Sequence, residues 1–342
     1  MAEYRRDVFC EWEFLTSFRN APCTGMSEEA EYLYFELRKF LKRSHLLLDI
    51  ERKAFTTKLE NDKELFKWIF KSLTTGGGNC ECIDEHGFKY VEQITNKGKE
   101  RFKVVYLLTK DGEICNWYRQ QFGSIVLSPK CWEEEKAKAN QYLFRDCGSS
   151  IEKDKFYSWK EILSSRYNLS NCNAMVLIDN YILKSNLEKL FAKVLDALLP
   201  KNLTQEDAFY CTIITVRGNY SVEEKHSEIC KIINKLRPDL NYKLEIYVQL
   251  VDKTFHDRCI LTNNVIIKSG HGFNILDDNG KAKTQTAIQI WHPGIQNASK
   301  CSDDEYAAIL RRVIDEVVNC TTDGQWEHYP EGPCKNRLIV EE

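Results

Sequence analysis

Between residues 174 and 250, three apolar runs alternate with two amphipathic ones, and few folds accommodate that order. Ala174–Ile178 (AMVLI) has the unbroken apolar character of a strand covered on both faces. Ala208–Val216 (AFYCTIITV) and residues 242–250 supply two more strands. The segments between them, 186–199 and 222–236, carry apolar residues at helical spacing and run up to Pro200 and Pro238. Strand–helix–strand–helix–strand requires right-handed crossovers and a mostly parallel sheet with helices outside it. A helix at 156–167, a hairpin at 255–274, a strand at 287–291 and a helix at 303–318 complete the pattern. Residues 151–342 are therefore expected to form an α/β domain, its tail irregular and pinned by Trp326 and Tyr329.

Residues 1–150 read as an α+β region, helices first and a β-rich segment after. Tyr4, Phe9, Trp12, Phe14 and Phe18 stand in a polar setting and predict an N-terminal segment docked onto the body of the protein. Ser27 opens a helix with Glu28 and Glu29 in its first turn, where the helix dipole favours them. HLLLDI at 45–50 reads as a buried strand, and 62–73 as a second helix. Gly76, Gly77 and Gly78 end that helix; the Lys-Ser/Thr of a phosphate-cradling P-loop is missing, and a helix precedes them rather than follows. Strands are expected at 88–94, 102–109, 114–120 and 124–127, with a hairpin turn at Asp111-Gly112, then a helix at 132–141. Lys97, Lys99, Arg101 and Lys103 share one side of their segment, as a lysine-guarded edge or a basic rim for a polyanion. The polar stretch 131–155 marks the boundary between the two regions.

The net charge of −3 argues against a surface that coats nucleic acid, while leaving room for a local basic groove. Neither an apolar run of the ~20 residues a membrane span needs nor the apolar core of a signal peptide is present, which predicts a cytoplasmic protein. The 14 cysteines are then reduced. Cys80 and Cys82 are one tight pair, with Cys115 and Cys131 far off, so the spacing predicts no zinc site and no cofactor.

The hairpin carries the chemistry. In FHDRCILTNNVIIKSGHGFN, His256 and Arg258 are two apart and share a face if they lie on a strand. Asn263 and Asn264 make the turn, and Gly270 and Gly272 bracket His271 ahead of Asn274. An imidazole and a guanidinium beside glycine-freed backbone suit a phosphate group. Plain structural roles fit the same residues: a buried core histidine, an ion pair of Arg258 with Asp252 or Asp277, and glycines needed for positive φ. Thr284 and Gln285 stand where they would add hydrogen bonds to a phosphate or form an ordinary loop.

This stretch resembles the signature of the phospholipase D superfamily: His-x-Lys, four residues, Asp, then about six residues to a Gly/Ser-rich loop with an Asn. His256 stands at the His, Arg258 at the Lys, Asn263 at the Asp, and residues 270–274 at the loop. The His-Asp-Arg form is similar to phospholipase-D-like domains that follow microtubule-interacting and transport domains in eukaryotes, where the fold is kept and the activity lost, and to domains of uncharacterised bacterial proteins. The likeness covers about the last half of the chain. It implies metal-independent chemistry: one His attacks phosphorus, a second His protonates the leaving oxygen, the cations hold the phosphate and the Asp orients the His. None of His45, His86, His226, His271, His292 and His328 stands two before a Lys or Arg, so a complete site calls for a homodimer pairing two copies of His256, or for His271 as a local acid.

Two expectations follow. One is a phosphodiesterase, foremost a homodimeric nuclease, of the kind the resemblance associates with phage-defence and mobile-element modules. The other is an inactive domain that binds nucleic acid, anionic headgroups or a protein partner. Arg for Lys keeps the charge, whereas Asn for Asp removes the carboxylate, a loss that costs about 10⁴ in rate in the Ser-His-Asp triad.

Overall fold

The computed structural model describes residues 7–21, 25–42, 44–73, 79–82, 105–109, 124–140, 143, 147–164, 172–184, 188–200, 203–205, 207–252, 255, 258–263, 265–291, 327–336 and 338–339. The chain divides into two compact units: Met1–Arg145 with Gly294–Glu305 and Glu341–Glu342, and Asp146–Pro293 with Tyr306–Val340.

In the first unit β1 (Asp7–Glu11), β2 (His45–Asp49), β3 (Asn79–Cys82), β4 (Val105–Leu107) and β5 (Val126–Leu127) form a sheet in the order β3-β2-β1-β4-β5. Every described pairing in it is parallel; α1 and α2 stand between β1 and β2, and α3 and α4 between β2 and β3. The helices are α1 (Trp12–Asn20), α2 (Glu28–Leu41), α3 (Arg52–Asn61), α4 (Lys63–Lys67), which widens into a π-turn at Trp68–Leu73, and α5 (Glu134–Asn140). Ser27 caps α2 as its sequence suggests, its hydroxyl accepting the Ala30 N–H at 3.2 Å.

The N-terminal segment is not a strap docked from outside. It supplies the central strand, with Val8, Phe9 and Cys10 each fully buried between β2 and β4, followed by a helix whose Phe14, Leu15 and Phe18 join the core. Glu11 is at once the last residue of β1 and the N-cap of α1, so the chain turns without a connecting loop. The expected strands at 88–94 and 114–120, the Asp111-Gly112 turn, the triple glycine, the cationic run 97–103, the helix at 303–318 and Trp326 lie outside the described residues.

The second unit is a mixed sheet ordered β13-β9-β8-β7-β10-β11-β12-β6. β7 (Ala174–Ile178), β8 (Ala208–Val216) and β9 (Lys243–Val251) are parallel and are joined across α7 (Glu188–Leu198) and α8 (Val222–Leu236). β10 (Cys259–Thr262), β11 (Ile266–Ser269), β12 (Thr286–Trp291) and β6 (Cys147–Ile151) continue antiparallel on one side, and β13 (His328–Tyr329) pairs antiparallel with β9 on the other. α6 (Trp159–Ser164) begins later than the periodicity predicts, because Phe156 bridges to Lys281 and Ser158 and Glu161 form a reciprocal capping box.

Apolar side chains of α7 (Phe191, Val194, Leu195) and α8 (Ile229, Ile233) cover Met175, Leu177, Ile213 and Val248 on one face of the sheet. On the other face Asn336 reaches the Met175 carbonyl at 2.7 Å and the Thr212 hydroxyl at 2.9 Å, tying the C-terminal segment down. β7 is buried at every position, as its sequence requires. Among the described residues no helix is long and apolar enough to cross a membrane, and no group of three or more His, Cys, Asp or Glu could hold a metal ion.

Candidate functional site

Strand direction decides which side chains meet. β7, β8 and β9 end together, so Asp179, Arg217 and Asp252 follow them along one edge of the second sheet. β10 runs the opposite way and begins at Cys259, opposite Ile178, which returns Arg258 to that same edge beside Asp179. β11 ends at Ser269, so the loop 270–274 emerges there as well.

Asp179 organises the edge, although nothing in the motif pointed to it. The residue is 2% exposed. One oxygen accepts the Tyr181 N–H at 2.9 Å and the other the Phe273 N–H at 2.9 Å, joining the β7 loop to the glycine loop. Burial pushes its pKa above the usual carboxylate value, against the pull of these two hydrogen bonds and the Arg258 charge. Gly272 sits at φ +76°, and a Cβ there would collide with the Asp179 carboxylate and come within 2.9 Å of Arg258 Cδ. Glycine is needed here both for conformation and for space. Its N–H donates to the Ser269 carbonyl at 3.3 Å, and the Ser269 hydroxyl donates to its carbonyl, so the loop is pinned at both ends.

The guanidinium of Arg258 leans on the Tyr181 ring, 5.5 Å from its centroid. The carboxylates that the sequence offered as its partners are engaged elsewhere. Asp252 takes Arg217 at 3.1 Å, and Glu327 takes the same arginine at 2.9 Å. One oxygen of Asp277 accepts the N–H groups of Asn279 and Lys281 within its own turn. The edge thus holds one arginine bound to two carboxylates and one set against a ring.

Asn180 is a second residue that the motif did not reveal. It is buried, and its side-chain amide grips Phe255 in both directions: its oxygen accepts the Phe255 N–H and its nitrogen donates to the Phe255 carbonyl, each at 2.7 Å. That clamp fixes the backbone immediately before His256. His256 and Asp257 themselves lie outside the described residues. Both Asp179 and Asn180 had a signal in the sequence: polar residues directly after a strand that is buried throughout, where only a paired polar group is tolerated.

His271 is exposed in the loop next to Gly270, whose Cβ position would face the Thr286 hydroxyl at 3.8 Å. Asn274 accepts a hydrogen bond from Lys283 at 2.6 Å, and the Thr284 hydroxyl donates to the Gln285 carbonyl at 3.4 Å. Arg258, Gly270, His271, Gly272 and Asn274 are therefore brought to one edge.

Asn263 is not brought there. The four residues of β10 separate it from Arg258, about 17 Å along an extended chain. It is buried at the start of β7, where its oxygen accepts the N–H groups of Asn173 and Ala174 and its nitrogen donates to the Asn173 side-chain oxygen, all at 3.0 Å. Its work in the described structure is to hold that end of β7.

Two hollows lie away from this edge. One of about 270 Å³ is lined by Trp159, Lys160, Lys193 and Asp196; Lys160 pairs with Asp196 at 2.8 Å, and Lys193 donates to the Asp278 backbone carbonyl at 2.6 Å. The other, about 180 Å³, lies between β8, β9 and residues 330–336.

No family model matches the sequence, and no curated protein matches it. Among solved structures, polyphosphate kinase from Porphyromonas gingivalis aligns over 64% of this chain and 36% of its own length, at 8% identity and a TM-score of 0.26. The chain thus spans about a third of that protein.

Proposed function

We propose that the second unit recognises a phosphodiester at the edge formed by Asp179, Arg258 and residues 270–274, in the manner the phospholipase-D-like signature implies. The observation that carries this is the state of Arg258. Arg217, on the same edge, is ion-paired with two carboxylates, whereas among the described residues Arg258 rests on an aromatic ring and shares its charge with the buried Asp179, which makes it the better placed of the two to take an anion. Gly270 and Gly272 leave two positions of the adjoining loop without side chains, and His271 and Asn274 extend from the others.

The active form of this reading is a metal-independent nuclease acting as a homodimer. An imidazole nitrogen of His256 bonds to phosphorus as the P–O bond to the leaving strand breaks. The partner copy's imidazole gives that oxygen its proton, and water then displaces the phosphoryl group while returning a proton to the same imidazole. An effector role in a defence or mobile-element module fits such an enzyme. Incubation of the purified protein with labelled DNA and RNA in EDTA tests it. Cleavage abolished by His256→Ala is expected; cleavage that survives that substitution refutes the mechanism.

A second reading, binding without turnover, draws on the position of Asn263, which leaves the motif without its orienting partner at the edge. It predicts salt-dependent binding of a polyanion that Arg258→Ala weakens, with no product formed.

A further inference from the structure

The loop after β7 carries a feature that the motif does not account for. Tyr181 is 43% exposed, and two cations stand on it: Arg258, 5.5 Å from the ring centroid, and the exposed Lys184, also 5.5 Å away. The two positive centres are no further apart than twice that distance. A one-turn loop fixes the arrangement: the Lys184 N–H donates to the Tyr181 carbonyl at 3.0 Å, and the Tyr181 N–H is held by the buried Asp179. Two cations on one exposed ring, one of them also acting on the buried Asp179, favour an anion beside them.

We infer that Tyr181 and Lys184 form a second subsite, beside the one at Arg258, for the next phosphate and the intervening nucleoside of a single-stranded nucleic acid. Two cations gathered about one aromatic ring match two phosphates flanking a nucleoside along such a strand. The exposed part of the ring supplies an apolar contact for the sugar or base, and each cation takes one phosphate. A lone phosphomonoester would engage Arg258 and leave Lys184 unused. The inference rests on the proposed reading of Arg258 as a phosphate ligand.

The test is the binding of a labelled ten-residue oligothymidylate by the full-length protein over a series of salt concentrations, with thymidine monophosphate and tripolyphosphate as competitors. Lys184→Ala is expected to weaken oligothymidylate binding several-fold and to make the log–log salt dependence shallower by about 0.7, the value of one phosphate contact on a single strand. Thymidine monophosphate should compete equally well with wild type and Lys184→Ala. Tyr181→Ala should weaken the oligonucleotide more than tripolyphosphate, and Tyr181→Phe should restore it. A salt dependence unchanged in both Lys184→Ala and Lys184→Gln, while Arg258→Ala still weakens binding, overturns the subsite and spares the reading of Arg258. Tripolyphosphate binding that falls as much as oligonucleotide binding in Tyr181→Ala overturns the nucleic-acid assignment. An Arg258→Ala variant that binds as well as wild type overturns the reading on which both rest.

Discussion

Asp179 is the residue on which the site's geometry turns. It is a buried carboxylate that serves two backbone N–H groups, one in its own loop and one 94 positions further along the chain. Asp179→Ala strands both groups, and a loss of about 2–3 kcal/mol in urea unfolding is expected, together with weaker anion binding as the glycine loop loosens. The raised pKa carries its own signature. The folded chain holds the Asp179 proton more tightly than the unfolded chain does, so this group's contribution is complete below the unfolded value of about 3.9. It is lost as pH rises through the higher folded value. Wild-type stability measured against that of Asp179→Asn should therefore decline with rising pH across that interval and level off above it; a difference that grows with pH would contradict the assignment. Gly272→Ala should cost about 1–2 kcal/mol for its positive φ and should also displace Arg258, lowering anion affinity. A variant that binds normally would show that the loop does not set the arginine.

At the scale of elements, β10 decides what the motif can mean. Residues spaced for one active centre stand at opposite ends of a four-residue strand, Arg258 at one edge of the sheet and Asn263 at the other. Asn263→Asp, which would complete the family signature on paper, is therefore expected to add no hydrolysis. It should lower stability, because the donor to the Asn173 oxygen becomes an acceptor facing it. A gain in cleavage rate would contradict this placement.

How much could be read beforehand follows the same lines. β8 and α8 were legible to the residue: nine successive strand-forming residues in one, and in the other an apolar stripe between Ser221, which caps it, and Pro238, which ends its surroundings. β1 was not, because five residues run into a helix with no turn to punctuate them, and only burial on both sides gives Val8, Phe9 and Cys10 their role. That Arg258 and the loop 270–274 come to the same edge follows from the β10–β11 hairpin, which was legible. Asp179 and Asn180 showed only as polar residues after a buried strand; their long-range partners Phe273 and Phe255 lie 94 and 75 residues away, and only the sheet order brings them together.

At the scale of the whole molecule, a single copy of the signature sets the condition for activity. If cleavage needs two copies of His256, the rate per chain should rise with protein concentration and saturate as dimer forms. Mixing His256→Ala with wild-type chains should then suppress activity by more than dilution. Activity strictly proportional to wild-type concentration would point instead to a single-chain site using His271.

The most direct test compares the two arginines of the sheet edge. In salt titrations of oligothymidylate binding, Arg258→Ala should lower affinity by at least about tenfold and make the salt dependence shallower, as loss of a phosphate contact requires. Arg217→Ala, which removes a cation already held by Asp252 and Glu327, should leave both unchanged. Equal losses in the two variants, or none in Arg258→Ala, would contradict the claim that this edge holds a phosphate through Arg258.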